Sequence, residues 1–130
     1  MLLDTSGLLA CLDASESRHD DAVACYDSRA TRLTHNYVLA ELIALAQARR
    51  LPRDPVIRFV AQLSVDRDIE MIWVDRALHH QAISLLAAQL DKTYSLCDAV
   101  SMVLMRNRGL QEALSTDHHF EQAGFSILLK

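Results

Sequence analysis

Two kinds of apolar pattern alternate along the chain. Short apolar runs with no helical period are followed by longer stretches in which apolar residues recur three or four positions apart, the spacing of an amphipathic helix. Met1-Leu2-Leu3 is the first short run, and Asp4-Thr5-Ser6 then supplies capping residues ahead of a helical Gly7-Leu8-Leu9-Ala10-Cys11-Leu12. A second helix fits His19 to Arg29, and Arg32-Leu33-Thr34 forms a strand ending at Asn36, a good N-cap. Helical spacing runs from Tyr37 to Leu51, where Pro52 stops it. Asp54-Pro55 matches an N-cap with proline at the first helical position and opens a helix to about Val65. Ile69 to Val74 is short and partly β-branched, a strand, and Ala77 to Leu90 is helical. Ser95 opens a strongly apolar helix through Arg106 that Gly109 closes, Ala113-Leu114-Ser115 is a strand, His119 to Gln122 a short helix, and Phe125 to Leu129 a last strand. Strands alternating with helices predict an α/β sandwich with a mainly parallel sheet, whose ligand site lies beyond the carboxyl ends of the strands.

Length and composition narrow this picture. A chain of 130 residues fits one domain, residues 1–130, that buries a core without disulfides. Its apolar fraction of 51% is ordinary, and no segment is apolar for long enough to cross a membrane. The N-terminal run lacks a basic flank and contains Asp4, so no signal peptide is expected and a cytoplasmic location is. Cys11, Cys25 and Cys97 lack metal-type spacing and read as reduced core thiols. A formal charge of -4 argues against holding nucleic acid by bulk electrostatics, but it does not exclude a nuclease. Arg49, Arg50, Arg53, Arg58, Arg106 and Arg108 remain available for phosphate, although each is more simply a solvated surface residue.

The candidate chemistry lies in four carboxylates. Asp4, Asp98 and Asp117 each sit where a helix begins, and each has a local explanation as a cap; Ser95-Leu96-Cys97-Asp98 in particular matches a capping box. Glu41 has no such explanation. Helical spacing puts it with Val38, Leu42 and Leu45, which predicts a carboxylate turned toward the core side. Caps account for three acids separately, whereas a shared cation accounts for all four, because gathered carboxylates repel one another unless neutralised. Oxygen ligands of this kind suit Mg²⁺, with Mn²⁺ as a substitute.

The segments Asp4-Thr5-Ser6, Thr34-His35-Asn36-Tyr37-Val38-Leu39-Ala40-Glu41, Tyr94-Ser95-Leu96-Cys97-Asp98-Ala99 and Ser115-Thr116-Asp117-His118-His119-Phe120, in this order, resemble the PIN domain. Within that superfamily the chain is most similar to the VapC-type toxins of bacterial toxin–antitoxin pairs. The resemblance implies a Mg²⁺-dependent endoribonuclease held inactive by a VapB-type antitoxin, acting as a homodimer and as a hetero-oligomer with that antitoxin. Its RNA substrate is then the ribosomal sarcin–ricin loop or a transfer RNA. Carried over by position, the catalytic and metal-holding acids are Asp4, Glu41, Asp98 and Asp117, supported by Ser6 and Thr116. One position departs from the pattern: many members carry a further aspartate where this chain has His119. His118 and His119 otherwise read as surface or helix-end residues, and His79-His80 receives no role.

Two rival functions are open. A catalytically inactive PIN-fold module that binds RNA or protein has the same fold, but retention of all four acids speaks against it. A phosphotransferase with a nucleophilic aspartate, as in the haloacid dehalogenase group, wants a second aspartate two residues after the first, where this chain has Ser6.

Overall fold

In the computed structural model, which describes residues 1–130, the apolar runs form five strands: β1 (Leu2–Leu3), β2 (Leu33–His35), β3 (Glu70–Ile72), β4 (Glu112–Leu114) and β5 (Ser126–Ile127). They pair in the order β3-β2-β1-β4-β5, and every pairing is parallel. The helices are α1 (Thr5–Leu12), α2 (His19–Ser28), α3 (Asn36–Ala48), α4 (Arg53–Val65), α5 (Arg76–Ala88), α6 (Leu96–Arg108) and α7 (His119–Gln122). An all-parallel sheet needs crossover helices, and these cover both faces.

Side chains of successive strand residues point to opposite faces, so each strand feeds two cores. Leu3 and Leu114 face one side, with Leu8 and Leu9 of α1 and Val38 and Leu42 of α3. Leu2, Leu33 and Ala113 face the other, with Val100 and Met102 of α6 and Phe120 of α7. Most of these side chains are completely buried, each contributing about 1.5–3 kcal/mol in transfer free energy if it is a large aliphatic or aromatic one. The three cysteines are unpaired, with Cys97 buried. No helix is long and apolar enough to cross a membrane.

One close approach fixes the start of α1. A Cβ on Gly7 would lie 2.0 Å from the Leu114 carbonyl oxygen, so only glycine lets α1 rest this tightly on β4. That contact holds the turn after β1 beside the turn after β4.

Several boundaries differ from the sequence expectation, each for a local reason. The third helix ends at Ala48 rather than Leu51, because Arg50 adopts φ 59° and the Leu51 and Arg50 N–H groups bond back to Ala46 and Gln47. This is a Schellman closure made without glycine, and it ends the helix before Pro52 can. The next helix starts at Arg53 with Pro52 as its flanking residue, so Asp54 lies in the first turn and pairs with Arg58 instead of capping. The cap of α3 is His35, whose Nδ1 accepts from the Val38 N–H at 3.4 Å. Asn36, expected to cap, instead accepts the Val74 N–H at 2.7 Å and ties α3 to the chain after β3. On α6 the expectation and the structure agree: Ser95 and Asp98 form the capping box, and Gly109 closes the helix at φ 66°.

Candidate functional site

Parallel strands all end on one edge of the sheet, so the residues that follow β1 and β4 emerge side by side. Asp4 follows β1 and is 3% exposed. Its Oδ2 accepts hydrogen bonds from Ser115 Oγ at 2.8 Å and Ser6 Oγ at 3.2 Å. Those two hydroxyls also organise the chain after β4: Ser6 Oγ accepts the Thr116 N–H at 3.0 Å, and Ser115 Oγ accepts the Asp117 N–H at 2.9 Å. Thr116 thus joins the network through its backbone. Ser115, which the sequence reading passed over as the end of a strand, supplies the hydroxyl.

Asp98 enters from the start of α6 and is also buried. Its Oδ2 accepts the Ser95 N–H at 3.0 Å within the capping box and lies 3.1 Å from His119 Nδ1. The same His119 nitrogen is 3.3 Å from Asp117 Oδ1, which also accepts the His119 N–H at 2.9 Å. On its other side, His119 Nε2 meets Thr93 Oγ1 at 2.9 Å. Asp98, Asp117 and His119 each offer one ligand atom, and these atoms lie within 4.8 Å of one another.

Glu41 requires a correction. It is exposed, not turned to the core. Val38 and Leu42 form the buried centre of the α3 stripe and Leu45 is only half-buried, so the Glu41 position falls on the flank where the helix meets solvent. Its charge still reaches the site. Burial pushes the Asp4 carboxyl up to about 7; the Ser115 hydrogen bond opposes this, and the negative charges of Asp98 and Glu41 add to it. Burial also pushes the Cys97 thiol up, helped by Glu41, Asp4 and Asp98 in that order. Three of the carboxylates therefore surround the same neighbourhood, and Asp117 joins Asp98 through His119.

No lysine or arginine pairs with any of the four; the only ion-pair partner among them is His119. Thr5 Oγ1, next to Asp4, is buried without a hydrogen-bond partner. Carboxylates without a lysine or arginine partner, a buried oxygen without a hydrogen bond and hard oxygen donors are an environment that a divalent cation fits. His119 was the residue sequence reasoning undervalued. Its one signal was its place two residues after Asp117. The largest cavity, about 250 Å³ between α3 and α4, is lined by Ile43, Ala46, Leu51 and Val56 and contains none of these acids.

Comparison with known proteins agrees with the fold. The PIN domain family matches residues 1–126. The 23S rRNA-specific endonuclease VapC20 of Mycobacterium tuberculosis is 32% identical over 126 residues, covering 96% of this chain and 95% of that protein. Ribonuclease VapC26 of the same organism is 32% identical over 127 residues, covering 92% and 89%. The crystal structure of VapC20, described as a sarcin–ricin loop cleaving toxin, superposes with a TM-score of 0.88 at 29% sequence identity over 96% of this chain and 95% of that one. The chain belongs to the PIN domain family, among its VapC-type endoribonucleases.

Proposed function

We propose that this chain is the endoribonuclease toxin of a VapBC-type toxin–antitoxin pair, hydrolysing the sarcin–ricin loop of 23S rRNA with Mg²⁺. The observation that carries this reading is Asp4: a buried carboxyl raised to about 7, surrounded by further acids and lacking a cationic side chain. The substrate rests on the activity named for VapC20, to which the similarity extends along nearly the whole chain.

Asp4 and Asp98 would hold the cation, with Asp117 and Glu41 as the further acids of the site. When bound, the cation supplies Lewis acidity toward the attacking water and the phosphoryl oxygens. The Ser6 and Ser115 hydroxyls hold Asp4 Oδ2 between them and fix its orientation. His119 holds Asp98 and Asp117 together while Thr93 fixes its ring. Glu41, exposed on α3 with its charge acting on Asp4, is our candidate for a further ligand or for the base that orients the water. The work of the acids is done by a single domain, residues 1–130, in the cytoplasm, as a homodimer and in complex with a VapB-type antitoxin.

The test is incubation with a sarcin–ricin hairpin RNA, with Mg²⁺ and with EDTA. Water as nucleophile leaves 5′-phosphate and 3′-hydroxyl ends, and chelation abolishes cleavage. A 2′,3′-cyclic phosphate product, or undiminished cleavage in EDTA, overturns the reading. The inactive binding module is the rival that one observation favours, since His119 bridges two of the acids where many members carry a further aspartate.

A further inference from the structure

Beside the acids, on the side of Ser6 and Thr116, lies a polar pocket of about 150 Å³. Its charged lining comes from two distant places. Glu16 and Arg18 belong to the connection between α1 and α2, and Arg49 follows the end of α3. Arg49 pairs with Glu16. Arg18 donates through Nε to the Lys130 carbonyl oxygen at 3.3 Å, which fixes the side chain and leaves both terminal guanidinium nitrogens without a hydrogen-bond partner. Two guanidiniums and one carboxylate therefore line this pocket, in a chain whose formal charge is -4. Ser6 lines the pocket and also donates to Asp4, so this pocket and the acidic site share a wall.

A polyanion whose scissile phosphate sits at the carboxylates meets strong repulsion there, and its neighbouring phosphates need a compensating surface within reach. Guanidinium groups bind phosphate oxygens through charge-assisted, often bidentate hydrogen bonds. We propose that the pocket formed by Arg18, Arg49, Ser6 and Thr116 is an RNA phosphate subsite that seats a backbone phosphate flanking the scissile bond. This rests on the nuclease reading given above. Arg18 is the standing contact. Arg49 is held in reserve by Glu16 and exchanges that carboxylate for the phosphate when RNA arrives, a surface exchange that costs little because an exposed ion pair is weak.

Two measurements test it on the full chain, with thermal melts as a check on folding. Steady-state cleavage of a sarcin–ricin hairpin in Mg²⁺ gives KM and kcat, and fluorescence anisotropy of the same labelled hairpin in EDTA gives affinity without turnover. Arg18→Ala and Arg49→Ala are each expected to raise KM about tenfold with kcat nearly unchanged, and to reduce the slope of log affinity against log salt by about one. Arg18→Lys recovers part of the loss. Glu16→Gln, which releases Arg49, is expected to tighten binding severalfold. Unchanged KM, affinity and salt slope in both arginine variants overturn the proposal. So does normal RNA handling with weakened inhibition by a VapB-type antitoxin, which assigns the pocket to a protein partner's acidic segment. Arginine-dependent RNA binding by a wild-type chain that does not cleave overturns the nuclease reading and leaves the subsite standing.

Discussion

Two helices of this fold begin with a buried aspartate, and the two aspartates are held in different ways. Asp98 is the third residue of α6 and completes a capping box: its carboxylate accepts the Ser95 N–H while Ser95 Oγ accepts its own N–H. Asp4 occupies the N-cap position of α1, yet its side chain makes no capping bond. Its side chain instead accepts from two hydroxyls, Ser6 in its own turn and Ser115 at the end of the neighbouring strand β4. Capping therefore explains why an acid stands at Asp98, and it does not explain Asp4. A residue whose folded environment raises its carboxyl to about 7 costs stability, and the fold keeps it at the one point where β1, β4 and α6 meet. The acid that local structure does not explain is therefore the first one to test for a ligand.

Asp4→Asn gives the largest contrast. Cleavage should fall on the order of a thousandfold or more, as for loss of a group that acts as part of a unit. In EDTA the variant should melt at or above the wild-type temperature, because a desolvated charge is gone, and Mg²⁺ should no longer raise its melting point as it does for the wild type. A variant that melts lower in EDTA and keeps its metal response would mean that Asp4 is structural. Gly7→Ala reaches the same acid indirectly. Its Cβ has no room against the Leu114 carbonyl, so α1 must lift from β4. Overpacking of this kind costs about 1–3 kcal/mol, readable by urea denaturation, and should lower cleavage by loosening the Ser6 and Ser115 grip on Asp4.

What could be read in advance divides along the same line. The first strand and helix, and both ends of α6, were legible because their signals are local: Leu2-Leu3 followed by Asp4-Thr5-Ser6, a Ser95–Asp98 capping box, and Gly109 at a positive φ. The end of α3 was hidden because Arg50 closes it in a conformation for which glycine is the usual marker. Asn36 was misread because its partner is Val74, on a different strand's exit, and no periodicity reports such a contact. The four acids could be singled out, but their arrangement could not. A residue on the flank of a helical stripe, as Glu41 is, is assigned to the wrong side by a small rotation; Ser115 gains its role only when β4 pairs with β1, and His119 only when α7 meets the start of α6.

Asp98→Ala sharpens the comparison from the other side. Removing the carboxylate breaks the capping box and strips His119 of a partner, so stability in EDTA should fall by about 1 kcal/mol, and Mg²⁺ should raise the melting point of the variant less than that of the wild type. Cleavage should fall as well. The diagnostic is the pair of melts in EDTA: Asp98→Ala below wild type, Asp4→Asn not below it. If both variants move in the same direction, the distinction between a capping acid and an uncompensated one fails.

The smallest effect is a slope with pH, measured in EDTA. Asp4 has its carboxyl raised from 3.8 to about 7, so between those values the folded chain holds more protons than the unfolded chain, and stability declines as pH rises. His35, buried and bonded through Nε2 to Ser101 Oγ at 2.8 Å, is pushed by burial from 6.5 down to about 4. There the unfolded chain holds the extra proton, so stability is lost as pH falls through that window. The two groups therefore act in opposite directions and flatten the wild-type profile near neutrality. Asp4→Asn removes one of them: its stability should match wild type near pH 4 and exceed it progressively toward pH 7, leaving the His35 slope exposed. Saturating Mg²⁺ should stabilise the wild type more at pH 8 than at pH 5, since a cation competes with the Asp4 proton. A constant difference between variant and wild type from pH 4 to 7 would show that Asp4 is ionised throughout, and the contrast with Asp98 would then rest on hydrogen-bond geometry alone.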